Sequence, residues 1–191
     1  TTFAAGAFGG RPQRYLFQLF VDDGLRSEPE PVVVDVAPTG PAVQDATIPL
    51  VPGFNLIALP VDPGGSYRVS NLLADSRANF VAWVQEGQSR MRVLARGFLA
   101  FDEPVAGNHG YLVAGVRGSA NLSLAGVPWS EASLTRTLGS GLNLVAYPRG
   151  APSGSTAATL ATTSGASFII RSDVGPGGRG RLVTYLPGLT S

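Results

Sequence analysis

Few side chains in this sequence are equipped for catalysis, and those that are stand apart from one another. The one histidine, His109, lies in Gly107-Asn108-His109-Gly110. A Ser-His-Asp hydrolase would have to run through it, yet no Gly-x-Ser-x-Gly elbow presents a serine. It reads as an exposed loop histidine. Asp102-Glu103 is an acidic pair ahead of Pro104. Glycoside hydrolysis needs two carboxylates about 5–10 Å apart across a sugar, and neighbours on a strand point to opposite faces, so the pair reads as a solvated loop. Thr1 as an N-terminal nucleophile lacks a supporting lysine, because all 14 basic residues are Arg; a removed leader or a cut site is the expected reading. Asp22 and Asp23 are weak Ca²⁺ candidates. An Asp-Gly pair between alternating strands is first a turn signal, and no Asp-x-Asp-x-Asp-Gly run accompanies it. Gly175-Pro176-Gly177-Gly178-Arg179-Gly180 matches the dinucleotide fingerprint in letters only. The fingerprint works by opening a helix, whereas Arg181-Leu182-Val183-Thr184-Tyr185 reads as a strand. A hairpin loop is expected there, and no cofactor.

Side chains suited to binding are more numerous. Trp83, Trp129, Tyr67 and Tyr147 offer ring faces on which sugars stack. Arg90, Arg92 and Arg96 share an even spacing that would project all three from one side of a strand, toward an anionic group or simply into solvent beside Glu86. The candidate ligand contacts are therefore Trp83, Trp129, Arg90 and Arg92. Trp83 lies in Phe80-Val81-Ala82-Trp83-Val84, apolar on both faces, which reads first as a central strand with the indole in the core.

Composition narrows the classes further. With no Cys there is no thiol nucleophile, disulfide or thiolate metal site, and with no Lys there is no Schiff base. A net charge of +1 gives no basic field to capture nucleic acid. No apolar run approaches the roughly 20 residues of a membrane-spanning helix.

The elements that must position these residues are strands. Short alternating runs are broken every 8–12 residues or so by Gly, Pro, Asn or Asp, the pattern of a sandwich or barrel. Tyr15, Phe17, Leu19 and Val21 alternate on one strand; Val32, Val34 and Val36 on the next. One short helix is expected over Ser66–Asp75, with Ser70 as its cap and Leu72 and Leu73 inward, and a counterpart over Ser155–Ala161. Tyr111–Ala114 and Ala120–Gly126 read as a closing hairpin.

The strongest signal is an internal repeat. Gly53-Phe54-Asn55-Leu56-Ile57-Ala58-Leu59-Pro60 recurs as Gly141-Leu142-Asn143-Leu144-Val145-Ala146-Tyr147-Pro148, an offset of 88 residues that also pairs Leu72 with Leu160, Ala78 with Ala166 and Phe80 with Phe168. One inserted residue later, Arg92-Val93-Leu94 matches Arg181-Leu182-Val183. Two copies of one module follow, over 43–130 and 131–191, after partial Ig-like strands and a linker over 1–42. The second copy has no counterpart of the first copy's last strands. Two explanations stand open: a boundary cut through a module, or strands supplied by a neighbouring chain. Gly53 and Gly141 are expected as turn glycines, Asn55 and Asn143 as polar anchors, Phe80 and Phe168 as core.

Tyr15-Leu16-Phe17-Gln18-Leu19-Phe20-Val21-Asp22-Asp23-Gly24 with Val32-Val33-Val34-Asp35-Val36 resembles the last strands of PKD- and cadherin-like domains. The repeat resembles extracellular prokaryotic β-modules marked by a Gly-Trp-Asn-Leu-Ile-Ser-Leu-Pro opening and a later Gly-Tyr-Trp, here Gly110-Tyr111-Leu112. Phe54 and Leu142 replace the first Trp and Leu112 the second. The resemblance implies an all-β chain of tandem β-sandwich modules, each with at most one short helix, secreted or at a prokaryotic cell surface. It implies a non-catalytic structural or adhesive role, with self-association or neighbouring domains of a larger chain as partners. The alternative is a polysaccharide-binding accessory module of a secreted enzyme.

Overall fold

Apolar residues at Tyr15, Phe17 and Leu19 and at Val32, Val34 and Val36 call for two strands in one register, and this is the pairing found. A computed structural model describes residues 13–19, 30–36, 41–85, 90–98, 101–135, 137–145 and 156–188, the first two segments as backbone only. Strand β1 (Gln13–Leu19) runs antiparallel to β2 (Glu30–Val36), with Tyr15 opposite Val34 and Phe17 opposite Val32. Val21, Asp22 and Asp23 lie outside the described residues, as do Thr1, Glu86 and Tyr147. The chain divides into two compact units, residues 1–44 and 45–191.

The second unit holds β3 (Gln44–Leu50), β4 (Gly53–Ile57), helix α1 (Val69–Asp75), β5 (Phe80–Val84), β6 (Met91–Ala95), β7 (Tyr111–Val116), β8 (Ala120–Gly126), helices α2 (Glu131–Leu134) and α3 (Ala157–Ser164), β9 (Ile169–Val174) and β10 (Gly180–Tyr185). The fold is all-β with a few short helices. Six strands form one sheet in the order β6-β5-β7-β4-β10-β9, and β3 pairs with β8. No helix among the described residues is long and apolar enough to cross a membrane.

Strand β5 shows why the order takes this form. Val81, Ala82, Trp83 and Val84 are all buried, and a strand covered on both faces belongs inside a sheet. It sits between β6 and β7, antiparallel to both. Strand β7 is likewise apolar on both faces, with Tyr111, Val113, Ala114 and Val116 buried, so it enters the sheet between β5 and β4. Strand β8 alternates instead, Leu122 and Leu124 inward, Asn121 and Ser123 outward. That half-buried pattern suits the β3–β8 ribbon, so β7 and β8 are not the hairpin expected from their sequences. Leu50 and Leu122 of the ribbon join Val81, Trp83, Val113 and Leu72 in one core cluster.

The two copies share local geometry at the repeat's opening. Asn55 Oδ1 accepts from the Val51 amide at 2.9 Å while its Nδ2 donates to the Val51 carbonyl at 2.9 Å. Asn143 makes the same pair with Gly139, at 3.2 and 2.9 Å. Each clamps the chain four residues back, across a glycine at positive φ: Gly53 at 103° and Gly141 at 96°. Helices α1 and α3 both begin at the 88-residue offset, Val69 and Ala157. The β9–β10 hairpin sets Ile169 opposite Tyr185, where β5–β6 sets Val81 opposite Leu94, the counterpart of Val183. This slip of two residues keeps every side chain on its own face. A 3₁₀ turn at Pro176–Gly178 joins the hairpin, so the glycine-rich segment is a strand connection.

Three expectations are corrected. Ser70 lies inside α1, and Arg68 is the residue at its start. Phe80 is only half-buried, at the mouth of β5. Phe168 is 47% exposed, because it precedes the last strand of the sheet, where no described element covers it.

Asn55 is 6% exposed. Asn55→Ala removes its hydrogen bonds and strips two backbone groups of their partners, an expected loss of about 1–3 kcal/mol. Asn143→Ala, in an open setting where water replaces the side chain, should cost under about 1 kcal/mol. Urea denaturation of the two variants measures the difference; equal midpoints would show that burial does not set the weight of the clamp.

Candidate functional site

The acidic pair is half-buried and bonded within the protein rather than free in a solvated loop. The loop carrying Asp102 and Glu103 crosses the start of α1 and supplies the groups that helix lacks. A helix leaves its first amides without internal partners, and Asp102 Oδ1 accepts from the Ser70 amide at 2.9 Å. Its Oδ2 accepts from Ser70 Oγ at 2.8 Å and from Arg68 Nε at 3.1 Å, and its carbonyl accepts from Arg68 Nη2. The Glu103 carbonyl takes the Val69 amide at 3.0 Å. Glu103 Oε2 accepts from Trp83 Nε1 at 3.2 Å. The Tyr67 hydroxyl donates to Asp75 Oδ2 at 2.8 Å, and burial together with that carboxylate pushes the phenol well above its ordinary value of 10.0. The knot fastens a helix to a sheet: its carboxylates face cations and donors of the protein itself.

The aromatic candidates are interior. Trp83 is 1% exposed and Trp129 6%, with Trp129 Nε1 donating to the Leu59 carbonyl at 2.8 Å. Indoles enclosed to this degree present no face to a sugar ring. Of the arginines, only Arg92 lies on β6; Arg90 precedes the strand and Arg96 follows it in a turn. Arg92 Nη2 donates to Gln85 Oε1 at 2.9 Å and the guanidinium covers the Phe101 ring at 4.4 Å. Arg96 Nε donates to the Ala78 carbonyl at 2.9 Å. Arg90 is exposed and lies before the strand, so the row of three cations does not form. His109 is half-buried, bridged to Val145 and tilted against Tyr111 with ring centroids 6.2 Å apart. Among the described residues no three metal-ligating side chains converge.

What remains is a surface made by the meeting of the two copies. Gly180 bonds through its amide to the Pro52 carbonyl at 2.7 Å and pairs in parallel with Gly53. A Cβ on Gly180 would stand 2.1 Å from the Phe54 carbonyl oxygen, so only glycine allows this approach. Strand β9 also reaches β4, where the Ser172 hydroxyl donates to the Leu56 carbonyl at 3.5 Å. Between them lies an open groove of about 480 Å³, lined by Ile48, Phe54, Leu56, Ser172, Asp173 and Val174 among others. Strand β9 closes the sheet, and its far edge has no ladder partner among the described residues. Phe168, Ile170 and Val174 are exposed along it, as are Leu142 and Val145 on the second copy's opening segment. The groove was not legible beforehand; the edge was signalled only by the second copy having no counterpart of the first copy's last strands.

Comparison with protein-family models, curated proteins and solved structures finds no match for this chain.

Asp102→Ala should destabilise the fold by about 1–2 kcal/mol through loss of the helix-start acceptor, read from the denaturation midpoint. Ser70→Ala, which keeps the amide bond, should cost less; the reverse order would refute the capping role. Tyr67 adds a pH dependence. Its folded pKa is raised, so its contribution is complete below 10.0 and falls as pH climbs through the alkaline range. Tyr67→Phe should flatten that fall, checked by thermal melts at stepped alkaline pH.

Proposed function

We propose that the chain is a non-catalytic structural or adhesive β-module of an extracellular, prokaryotic surface protein, assembled through strand exchange with neighbouring molecules. The observation that carries this reading is the edge of β9, which has no ladder partner among the described residues and is flanked by exposed Phe168, Ile170 and Val174. Unpaired strand edges bordered by apolar side chains are templates for pairing with another chain. Two further observations support it. The carboxylates and indoles that could serve a reaction or a ligand are tied into structural bonds. The repeat's opening motif and its local geometry, with the Ig-like strand pattern of β1 and β2, fit the stalk and surface modules the chain resembles.

A second reading has the groove in its favour. Phe54, 43% exposed, occupies the position where similar modules carry Trp, and it shares the groove with Asp173. An exposed ring beside a carboxylate suits a polysaccharide, making the chain an accessory binding module of a secreted enzyme.

Light scattering over a concentration series, with electron microscopy of the native protein, tests the first reading. Concentration-dependent oligomers or filaments are expected; a clean monomer at the highest concentration overturns it. An insoluble-polysaccharide pulldown tests the second, and retention lost in Phe54→Ala but kept in the wild type would favour it.

A further inference from the structure

We propose that the β6 edge and the turn that follows it form a docking surface for an anionic lipid bilayer. The inference goes beyond the assembly reading and rests on other residues, so either can fail alone.

Exposed apolar side chains gather at this edge. Among the described residues of the first copy five large ones are exposed, and four of them, Met91, Val93, Phe98 and Phe101, lie on β6 or within six residues after it. Single exposed apolar residues are ordinary, whereas a cluster marks a contact surface. The fold explains the cluster. Leu94 turns into the core, so Met91 and Val93, on alternate positions, face the other way. That outward face stays apolar across the sheet, with Val93 opposite Ala82, Ala82 opposite Leu112 and Leu112 opposite Leu56. An antiparallel sheet that turns one face to water carries polar residues at such positions. Beyond β6, Gly97 at φ 83° closes a tight turn in which the Phe98 amide donates to the Ala95 carbonyl at 2.9 Å. The turn leaves Phe98 77% exposed.

Charge selects the partner. Residues 76–101 hold four arginines against one acid, Glu86, a surplus of three positive charges. Arg90 and Arg96 are exposed at the two ends of β6. Arg96 donates through its amide to the Asn79 carbonyl at 3.1 Å and through Nε to the Ala78 carbonyl at 2.9 Å, which sets it beside the turn carrying the exposed Arg77. Arg92 covers the Phe101 ring. Carboxylates nearby are engaged within the fold: Asp75 with Tyr67, Asp102 with Arg68 and Ser70, Glu103 with Trp83. The arginines thus flank an apolar strip instead of lining one strand face. A bilayer matches both parts, its hydrocarbon taking the apolar side chains and its phosphates the guanidiniums. A soluble polyanion would satisfy the arginines and leave Met91, Val93 and Phe98 in water. A second copy laid edge to edge along β6 would set like charges against one another.

The test is co-sedimentation of the full 191-residue chain with vesicles of phosphatidylglycerol and phosphatidylcholine in equal parts, and of phosphatidylcholine alone. The mixed vesicles should bind, with affinity falling about tenfold between about 0.1 and about 0.5 M salt, and the neutral ones should bind far less. Phe98→Ser should weaken binding about tenfold with an unchanged melting temperature, since the side chain lies outside the core. Arg90→Gln should weaken it about fivefold, and Phe168→Ser on β9 should leave it unchanged. F98W should add a blue-shifted emission on binding, against the wild type as blank.

Absence of binding to the anionic vesicles overturns the inference. Binding that Phe98→Ser leaves intact does so too, because charge alone would then account for it. Equal capture by immobilised polygalacturonate would make the occupant a polyanion. A dimer in light scattering that Phe98→Ser dissolves, with vesicles ignored, would make it a second copy. A protein that binds the vesicles yet stays monomeric at every concentration supports this surface and overturns assembly.

Discussion

Water excluded from the interior of a sheet takes with it the partners of every amide, carbonyl and indole buried there, and the protein must replace them. Much of this structure is organised by that requirement. The central strand β5 is buried on both faces, so the Trp83 indole it carries needs an acceptor, which Glu103 provides from a loop 20 residues on. The first amides of α1 need acceptors too. Asp102 and the Glu103 carbonyl meet that need, so one short loop fastens helix, strand and core together. Asn55 answers the same demand where β4 leaves β3, satisfying an amide and a carbonyl that a sharp turn would otherwise strand.

The requirement is met unevenly in the two copies. In the first, β4, β5 and β7 find ladder partners on both edges, and most side chains of β5 and β7 are buried while Phe54 of β4 stays 43% exposed. In the second, the same motif makes the same asparagine clamp and a helix at the same offset, yet much of its apolar surface stays exposed. Local devices therefore form wherever their few residues are present. Burial is deepest where residues of β3, β8 and α1 join the sheet in one core cluster. The β10–β4 contact at two facing glycines ties the second copy's hairpin to the first copy's sheet, and it does so at a point where any side chain would collide with backbone.

The strands were largely legible. Period-two alternation gave β1, β2 and β8, and continuous apolar runs gave the central position of β5. The repeat foretold where α3, β9 and β10 would lie, because equal sequences make equal local hydrogen bonds. The site was less legible, for reasons specific to each residue. Asp102 and Glu103 looked solvated because their partners, Arg68, Ser70 and Trp83, lie 20 to 34 positions away. Trp83 and Trp129 carry ring chemistry suited to ligands, but ring type says nothing of whether a neighbouring layer covers it. The evenly spaced arginines would share a face only on a continuous strand, and β6 spans just Met91–Ala95.

By itself the sequence determined the all-β class, the repeat and its offset, the turn glycines and the poverty of catalytic groups, since these depend on residue type and short-range spacing. Tertiary structure alone decided which strands become neighbours and which polar groups are spent on the fold. Those outcomes depend on contacts between residues far apart in the chain. Strand pairing is the clearest case: β7 and β8 are adjacent in sequence and go to different sheets, because one is apolar on both faces and the other on one.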